Sequence, residues 1–170
     1  RQDEAYLNAL GAARIPDPTT AGDFCRRFQQ EHLDELQSAI DVTRKKAWAS
    51  QPESFFEQAI IDSDGTMVET DGECKQGMDI SYKGQWGYHP LVVTLANTSE
   101  VLRLVNRSGN RPSHEGAAQK IDEGIALCRG AGFRSIRLRE DNDFSQPTQP
   151  DRWDDQGVKF GLGRDDTVPR

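Results

Sequence analysis

The sequence predicts a mixed α/β domain preceded by a small helical region, and three observations carry that prediction. An apolar run, Ala59-Ile60-Ile61, leads into Asp62-Ser63-Asp64-Gly65-Thr66, the pattern of a buried strand that stops at an Asp-Gly turn. Two more strand-like stretches, residues 85–97 and 101–106, follow with little but turn residues between them. Beyond residue 112 the periodicity becomes helix, strand, helix, strand. The order is β-β-β-α-β-α-β: a three-stranded antiparallel meander, then α/β crossovers into the same mixed sheet. Residues 1–52 read as the helical region and residues 53–170 as the α/β core.

Each element has its own warrant. Residues 1–14 are rich in Ala and Leu and read as a helix, which Pro16-Asp17-Pro18 ends. Thr19 or Thr20 is expected to cap a second helix, with Phe24, Phe28 and Cys25 on its apolar side. A third helix, roughly residues 32–49, would turn Leu33, Leu36, Ile40 and Ala47 inward, and Arg44-Lys45-Lys46 near its end complements the helix dipole. After Pro52 the period shortens, and residues 55–64 read as the first strand. Residues 65–84 are polar and glycine-containing. Pro90 must sit at the start or edge of the second strand, 85–97, because it donates no ladder hydrogen bond. Residues 97–100 form a turn before the third strand, 101–106. Ser113 reads as the N-cap of a helix that runs to about Gly130, with Ala117, Ile121, Ile125 and Cys128 on one face and Gly130-Ala131-Gly132 closing it. Residues 134–138 are the fourth strand. A short helix near 152–156 and a fifth strand at 158–162 complete the core, with Trp153 inside it.

Composition narrows the function classes. The chain has 170 residues, 29% charged and 35% hydrophobic, enough for one domain with a modest core. No apolar run approaches the roughly 20 residues of a membrane helix. It begins with Arg1 rather than Met and stops just after the turn-like Gly163-Arg164-Asp165-Asp166, so it reads as a fragment of a longer protein. Cys25, Cys74 and Cys128 lie far apart without a CxxC or Cys/His cluster, which argues against structural zinc or a disulfide framework and fits a reducing cytoplasm. A net charge of −7 argues at face value against a nucleic-acid partner. The charge is uneven, however. Residues 51–100 hold nine acids and two bases, whereas residues 101–140 hold eight bases and four acids. An acidic centre beside a basic band suits a metal site next to an anion-binding surface, and it equally suits ordinary solvated faces.

The carboxylates supply the chemistry. Asp62 and Asp64 are two apart, so on a strand they share one side of the sheet. A second cluster, Arg139-Glu140-Asp141-Asn142-Asp143-Phe144, follows the fourth strand. The element order is that of ribonuclease-H-like folds, where the first and fourth strands are neighbours. That neighbourhood brings Asp62 or Asp64 beside Asp141 or Asp143. Two Mg²⁺ ions about 3.5–4 Å apart stabilise the attacking and leaving oxygens of a phosphodiester at once, and such hard cations take carboxylate oxygens.

Several segments then resemble, in the right order, one family. Asp64-Gly65-Thr66, Gly72-Glu73-Cys74-Lys75-Gln76-Gly77 and Gly87-Tyr88-His89-Pro90-Leu91 resemble the catalytic core of bacterial insertion-sequence transposases, most closely the group 1 transposase DDE domain. Asn106-Arg107-Ser108-Gly109-Asn110-Arg111-Pro112-Ser113 and Arg139-x-Asp141-x-x-Phe144 continue the resemblance, which covers residues 15–165 or so. It implies a ribonuclease-H-like fold and cutting and joining of transposon-end DNA with Mg²⁺, or alternatively Mn²⁺. It also implies terminal inverted repeats and target DNA as partners, a homodimer in the synaptic complex, no membrane, and a place at the bacterial nucleoid in the cytoplasm. The family's first Asp matches Asp64 and its second Asp141, as catalytic metal ligands, with Asp62 and Asp143 as nearby carboxylates that could share a metal. Glu140 stands where the family usually has Gly or Ala, an extra negative charge beside Asp141. The family's third acid, a Glu, is expected beyond Arg170, so this stretch alone is expected to be inactive.

Two other readings compete. Asp62-Ser63-Asp64-Gly65-Thr66 also resembles the first motif of haloacid-dehalogenase-like phosphatases, with Asp62 as nucleophile, Asp64 as general acid/base and Mg²⁺ as cofactor. The antiparallel strands that follow do not suit that fold. The other alternative is a non-catalytic DNA-binding remnant. Arg107, Arg111 and His89 are candidate DNA contacts, weighed against surface or packing roles that Trp86, Tyr88 and His89 at a strand start share.

Overall fold

The computed structural model describes residues 4–15, 17–72, 75–112, 114–140 and 148–162. The chain forms two compact units, residues 1–47 and 48–170.

The first unit holds three helices, α1 (Glu4–Ala9), α2 (Pro18–Cys25) and α3 (Gln30–Trp48), whose last residue opens the second unit. Asp17, not Thr19 or Thr20, caps α2. Its carboxylate accepts from the Thr19 backbone N–H at 3.0 Å, and Pro18 takes the first helical position, where its missing N–H costs nothing. Phe24 and Phe28 meet edge to face at 5.1 Å. Leu33, Leu36, Ile40 and Ala47, expected inward, are exposed. Neither α1 nor α2 contributes a buried residue, so the unit builds no core of its own for them to face.

The second unit is built on a five-stranded sheet. Its strands are β1 (Ala59–Gly65), β5 (Leu91–Leu95), β6 (Glu100–Val105), β7 (Ile136–Glu140) and β8 (Val158–Leu162), in the spatial order β6-β5-β1-β7-β8. β5 runs antiparallel to β1 and β6, while β7 runs parallel to β1 and β8. The expected mixed α/β fold is present, and the chain's first strand is its central one. Period-2 alternation sorts the residues between faces. Along β1, Ala59, Ile61 and Ser63 are buried and point to one face; Ile60, Asp62 and Asp64 point to the other.

Helix α4 (Ala117–Ala131) covers the first face with Ala117, Ile121, Gly124, Ile125 and Cys128. Ile61, Val93 and Leu102 lie close to the Gly124 backbone. Helix α5 (Thr148–Asp155) lies on the same face: the Trp153 ring sits 5.9 Å from that of Phe160, whose register partner is buried Leu138. Trp153 is core, as expected, and its Nε1 donates to Asp122 at 2.7 Å. Trp48, Phe55, Phe56 and Phe133 form an aromatic cluster that closes one end of the core. Each fully buried aliphatic side chain here contributes roughly 1.5–3 kcal/mol. On the rim of α4, Glu123 binds Arg103 and Lys120, whose hydrogen bonds hold its carboxyl below the ordinary range despite the opposing cost of burial.

Several boundaries differ from expectation. Residues 53–56 form a 3₁₀ turn, so the first strand starts at Ala59. The stretch 85–97 is two strands. β4 (Trp86–Tyr88) belongs to a second, three-stranded sheet with β2 (Val68–Glu69) and β3 (Asp79–Ile80), in the order β2-β4-β3, and His89-Pro90 carries the chain across to β5. Pro90 cannot continue a ladder. Gly87 fixes the split too, because any Cβ there would collide with the Val68 carbonyl. Helix α4 starts later than expected, with Gly116 as its N-cap, and Ser113 lies outside the described residues.

Candidate nucleic-acid active site

Asp64 sits one residue before the end of β1, exposed, on the face opposite α4. Strand β7 delivers the second cluster to the same edge. Its parallel register pairs Asp62 with Arg139 and Ser63 with Glu140, and the next residue in sequence is Asp141. Asp141 and Asp143 lie outside the described residues. What the structure establishes is that the chain enters the second acidic cluster directly beside the carboxyl end of β1.

Asp62 and Asp64 are not an equivalent pair. Arg139 Nε and Nη2 donate to Asp62 Oδ1 and Oδ2 at 2.7 and 2.5 Å, a bidentate fork that occupies both carboxylate oxygens. Its hydrogen bonds to Asp62 push the pKa of the Arg139 guanidinium above its ordinary value. Asp64 has no hydrogen-bond or ion-pair partner among the described residues. Nothing in the linear sequence marks Arg139 as Asp62's partner. Only the parallel register between strands 77 residues apart sets them together.

Three segments meet behind the end of β1. Gly65 pairs with Leu91, and the Thr66 N–H donates to the Pro90 carbonyl at 3.3 Å. The His89 ring lies against Gly65: a Cβ there would come within 2.8 Å of His89 Cε1 and 3.3 Å of Arg107 Nη2, so only glycine lets the ring approach. Arg107 is buried and ties the loops together. Its Nε donates to the His89 carbonyl at 3.0 Å, and its Nη1 to the carbonyls of Pro112 (3.3 Å) and Glu115 (2.8 Å). Nη2 lies 3.4 Å from His89 Nδ1. Burial lowers the Arg107 pKa, and nearby Glu115 opposes that shift. The segments Asp64-Gly65-Thr66, Gly87–Leu91 and Asn106–Pro112 thus converge on one corner of the sheet, with Arg107 fastening that corner.

Arg111 is placed differently. It is exposed, pairs with Glu115 at 3.1 Å, and lines an open cleft of about 360 Å³ with Gln76, Tyr88, Asn106 and Ser108. Ser63 is the unexpected residue. Its Oγ is buried under the strand end without a hydrogen-bond partner among the described residues.

Mg²⁺ fits the chemical type of the exposed carboxylate at Asp64, since this ion takes one or two carboxylates and fills its remaining positions with water and phosphate oxygens. Asp62, as placed, would have to release Arg139 before it could join. Among the described residues no group of three or more His, Cys, Asp or Glu side chains could hold a metal. Likewise, no helix among them is long and apolar enough to cross a membrane.

No family model matches the chain, and no curated protein matches it by sequence. Among solved structures, it is similar to the piggyBac transposase in a synaptic complex with hairpin DNA, at TM-score 0.41 and 16% identity over 61% of this chain and 22% of that one. It is also similar to the Mos1 transposase in a paired-end complex with its left transposon end, at TM-score 0.41 and 13% identity over 91% of this chain and 47% of that one. The chain spans less than half the length of either.

Proposed function

We propose that residues 53–170 are the catalytic core of a DDE-type DNA transposase, in which Asp64 and Asp141 hold the Mg²⁺ (or Mn²⁺) that serves cleavage and strand transfer. The observation that supports this reading best is the parallel pairing of β1 with β7. It brings the chain, one residue before Asp141, beside the strand end that bears Asp64, a carboxylate without a partner among the described residues. The mixed five-stranded sheet β6-β5-β1-β7-β8, with the first and fourth strands of the expected order side by side, supports the ribonuclease-H-like reading to which the sequence motifs point.

When bound, the metal would neutralise charge on the phosphodiester undergoing displacement. The chain's own residues do the rest. Asp64 presents its oxygens at an open edge that a long, stiff polymer can reach. Arg139 keeps Asp62 engaged, so that Asp64 is not one of two competing carboxylates. Arg107 and His89 brace the strand end from behind, which fixes where Asp64 points. The partners on this reading are transposon terminal inverted repeats and target DNA, with two copies of the protein in the synaptic complex. The bacterial insertion-sequence assignment rests on the motif resemblance alone.

A phosphatase reading fits the geometry less well. Its nucleophile would be Asp62, whose two oxygens are both held by Arg139. Strand β1 is also flanked by antiparallel β5, where that fold calls for parallel units.

The test uses the full reading frame that contains these 170 residues, incubated with Mg²⁺ and a duplex carrying its own element's end. Nicking at that end is expected, and Asp64→Asn is expected to abolish it with DNA binding intact. Undiminished cutting by Asp64→Asn would overturn the assignment.

A further inference from the structure

The face of the sheet opposite α4 and α5 carries a row of cations that the fold does not use. Arg137 on β7 and Lys159 on β8 are direct register partners, both exposed. Neither has an ion-pair or hydrogen-bond partner among the described residues. Like charges directly opposite one another on adjacent strands, about 4.8 Å apart, destabilise a sheet. The arrangement therefore calls for an anion from outside. On the next outward-facing row, Arg139 adds a third cation, already shared with Asp62. The next outward-facing residue on β1 is Asp64.

We infer that Arg137 and Lys159 form a docking strip for the phosphodiester backbone of double-stranded DNA, laid along β7 and leading to Asp64. This rests on the proposed function for its occupant and goes beyond it in assigning the surface. Arg137 is level with Ile60 in the sheet, four residues before Asp64. At about 3.3 Å per residue that is roughly 13 Å, the axial span of about four base-pair steps of one strand. A backbone gripped at Arg137 and Lys159 would thus reach Asp64 within half a helical turn. Charge complementarity favours this occupant: the side chains on the strip that have no partner among the described residues are cations, and they sit on the face that carries the proposed reactive edge. The apolar part of the same face, Val92 and Leu104 on the far side of β1, is not part of the strip.

The test is fluorescence anisotropy of a labelled duplex of mixed sequence, titrated with the full chain at several salt concentrations. The double variant Arg137→Gln/Lys159→Gln is expected to weaken binding about tenfold and to flatten the slope of log K against log salt by about 1.8, the loss of two phosphate contacts. The charge-preserving exchange Arg137→Lys/Lys159→Arg should retain most of the affinity, and thermal melting of the glutamine variant should be unchanged or raised, since a like-charge pair has gone. An unaltered affinity and slope in the glutamine variant overturns the inference. So does a change confined to sedimentation behaviour, which would assign the strip to self-association. The two readings fail separately: strip-dependent binding without any Mg²⁺-dependent cutting sinks the transposase assignment and leaves the strip standing.

Discussion

The two faces of the central sheet obey different rules although the same five strands build both. The face under α4 and α5 is made of Ile61, Val93, Leu95, Leu102, Ile136, Leu138 and Val158, all buried. The opposite face, one residue out of phase, presents Asp62, Asp64, Arg137, Arg139 and Lys159. Because the side-chain period of a strand is two, β1, β7 and β8 each place apolar residues on the covered face and charged ones on the other. The difference teaches where mutations should hurt folding and where they should hurt function alone.

The largest contrast is expected between two neighbouring isoleucines. Ile61→Ala empties a site at 1% exposure among Leu102, Val93 and α4, and should cost about 3–4 kcal/mol in denaturant unfolding. Ile60→Ala, on the other face and half-buried, should cost less than about 1.5 kcal/mol. Equal losses would break the division between faces.

Arg107, like Arg103, is a buried charged residue on the structural side, and it sharpens the division. Arg107→Met keeps much of the volume and removes the donors to three carbonyls. Stability should fall by about 2–3 kcal/mol, because those carbonyls lose a charged partner at a half-desolvated corner. If instead the variant melts like the wild type and loses only DNA affinity, Arg107 belongs with the contact residues and not with the fold.

How much of this was legible in the sequence follows from the range of each interaction. Strand β1, helix α4 and the fifth strand were readable because apolar periodicity and glycine punctuation are local signals. The second strand was not readable as two, since the close approach of Gly87 to the Val68 carbonyl, which only glycine allows, joins residues of different strands. The inward face expected for α3 failed for the opposite reason. Its apolar positions repeat at helical spacing, but periodicity states only that a face exists and not what covers it. At the site, the adjacency of the first and fourth strands was legible from strand order, whereas Asp141 and Asp143 lie outside the described residues. The engagement of Asp62 by Arg139 and the burial of Arg107 were not legible. Both depend on register and on loop closure, which no spacing within a single segment encodes.

The smallest effect tests whether the covered face is purely structural right up to the proposed reactive edge. Ser63 belongs to that face by phase and burial, yet its hydroxyl has no partner among the described residues. A buried hydroxyl that makes no hydrogen bond costs free energy, so removing it should help. Ser63→Ala leaves the backbone ladder intact and creates only a small void. It should therefore raise stability by up to about 1 kcal/mol, a rise of roughly 2–4 °C in Tm for a chain of this size. A fall in Tm would show that the Oγ has a partner outside the described residues, and that the covered face shares in holding the end of β1 that bears Asp64. If the variant gains stability but loses Mg²⁺-dependent cutting, the oxygen is retained at a cost to the fold because the edge beside it is where the chemistry happens.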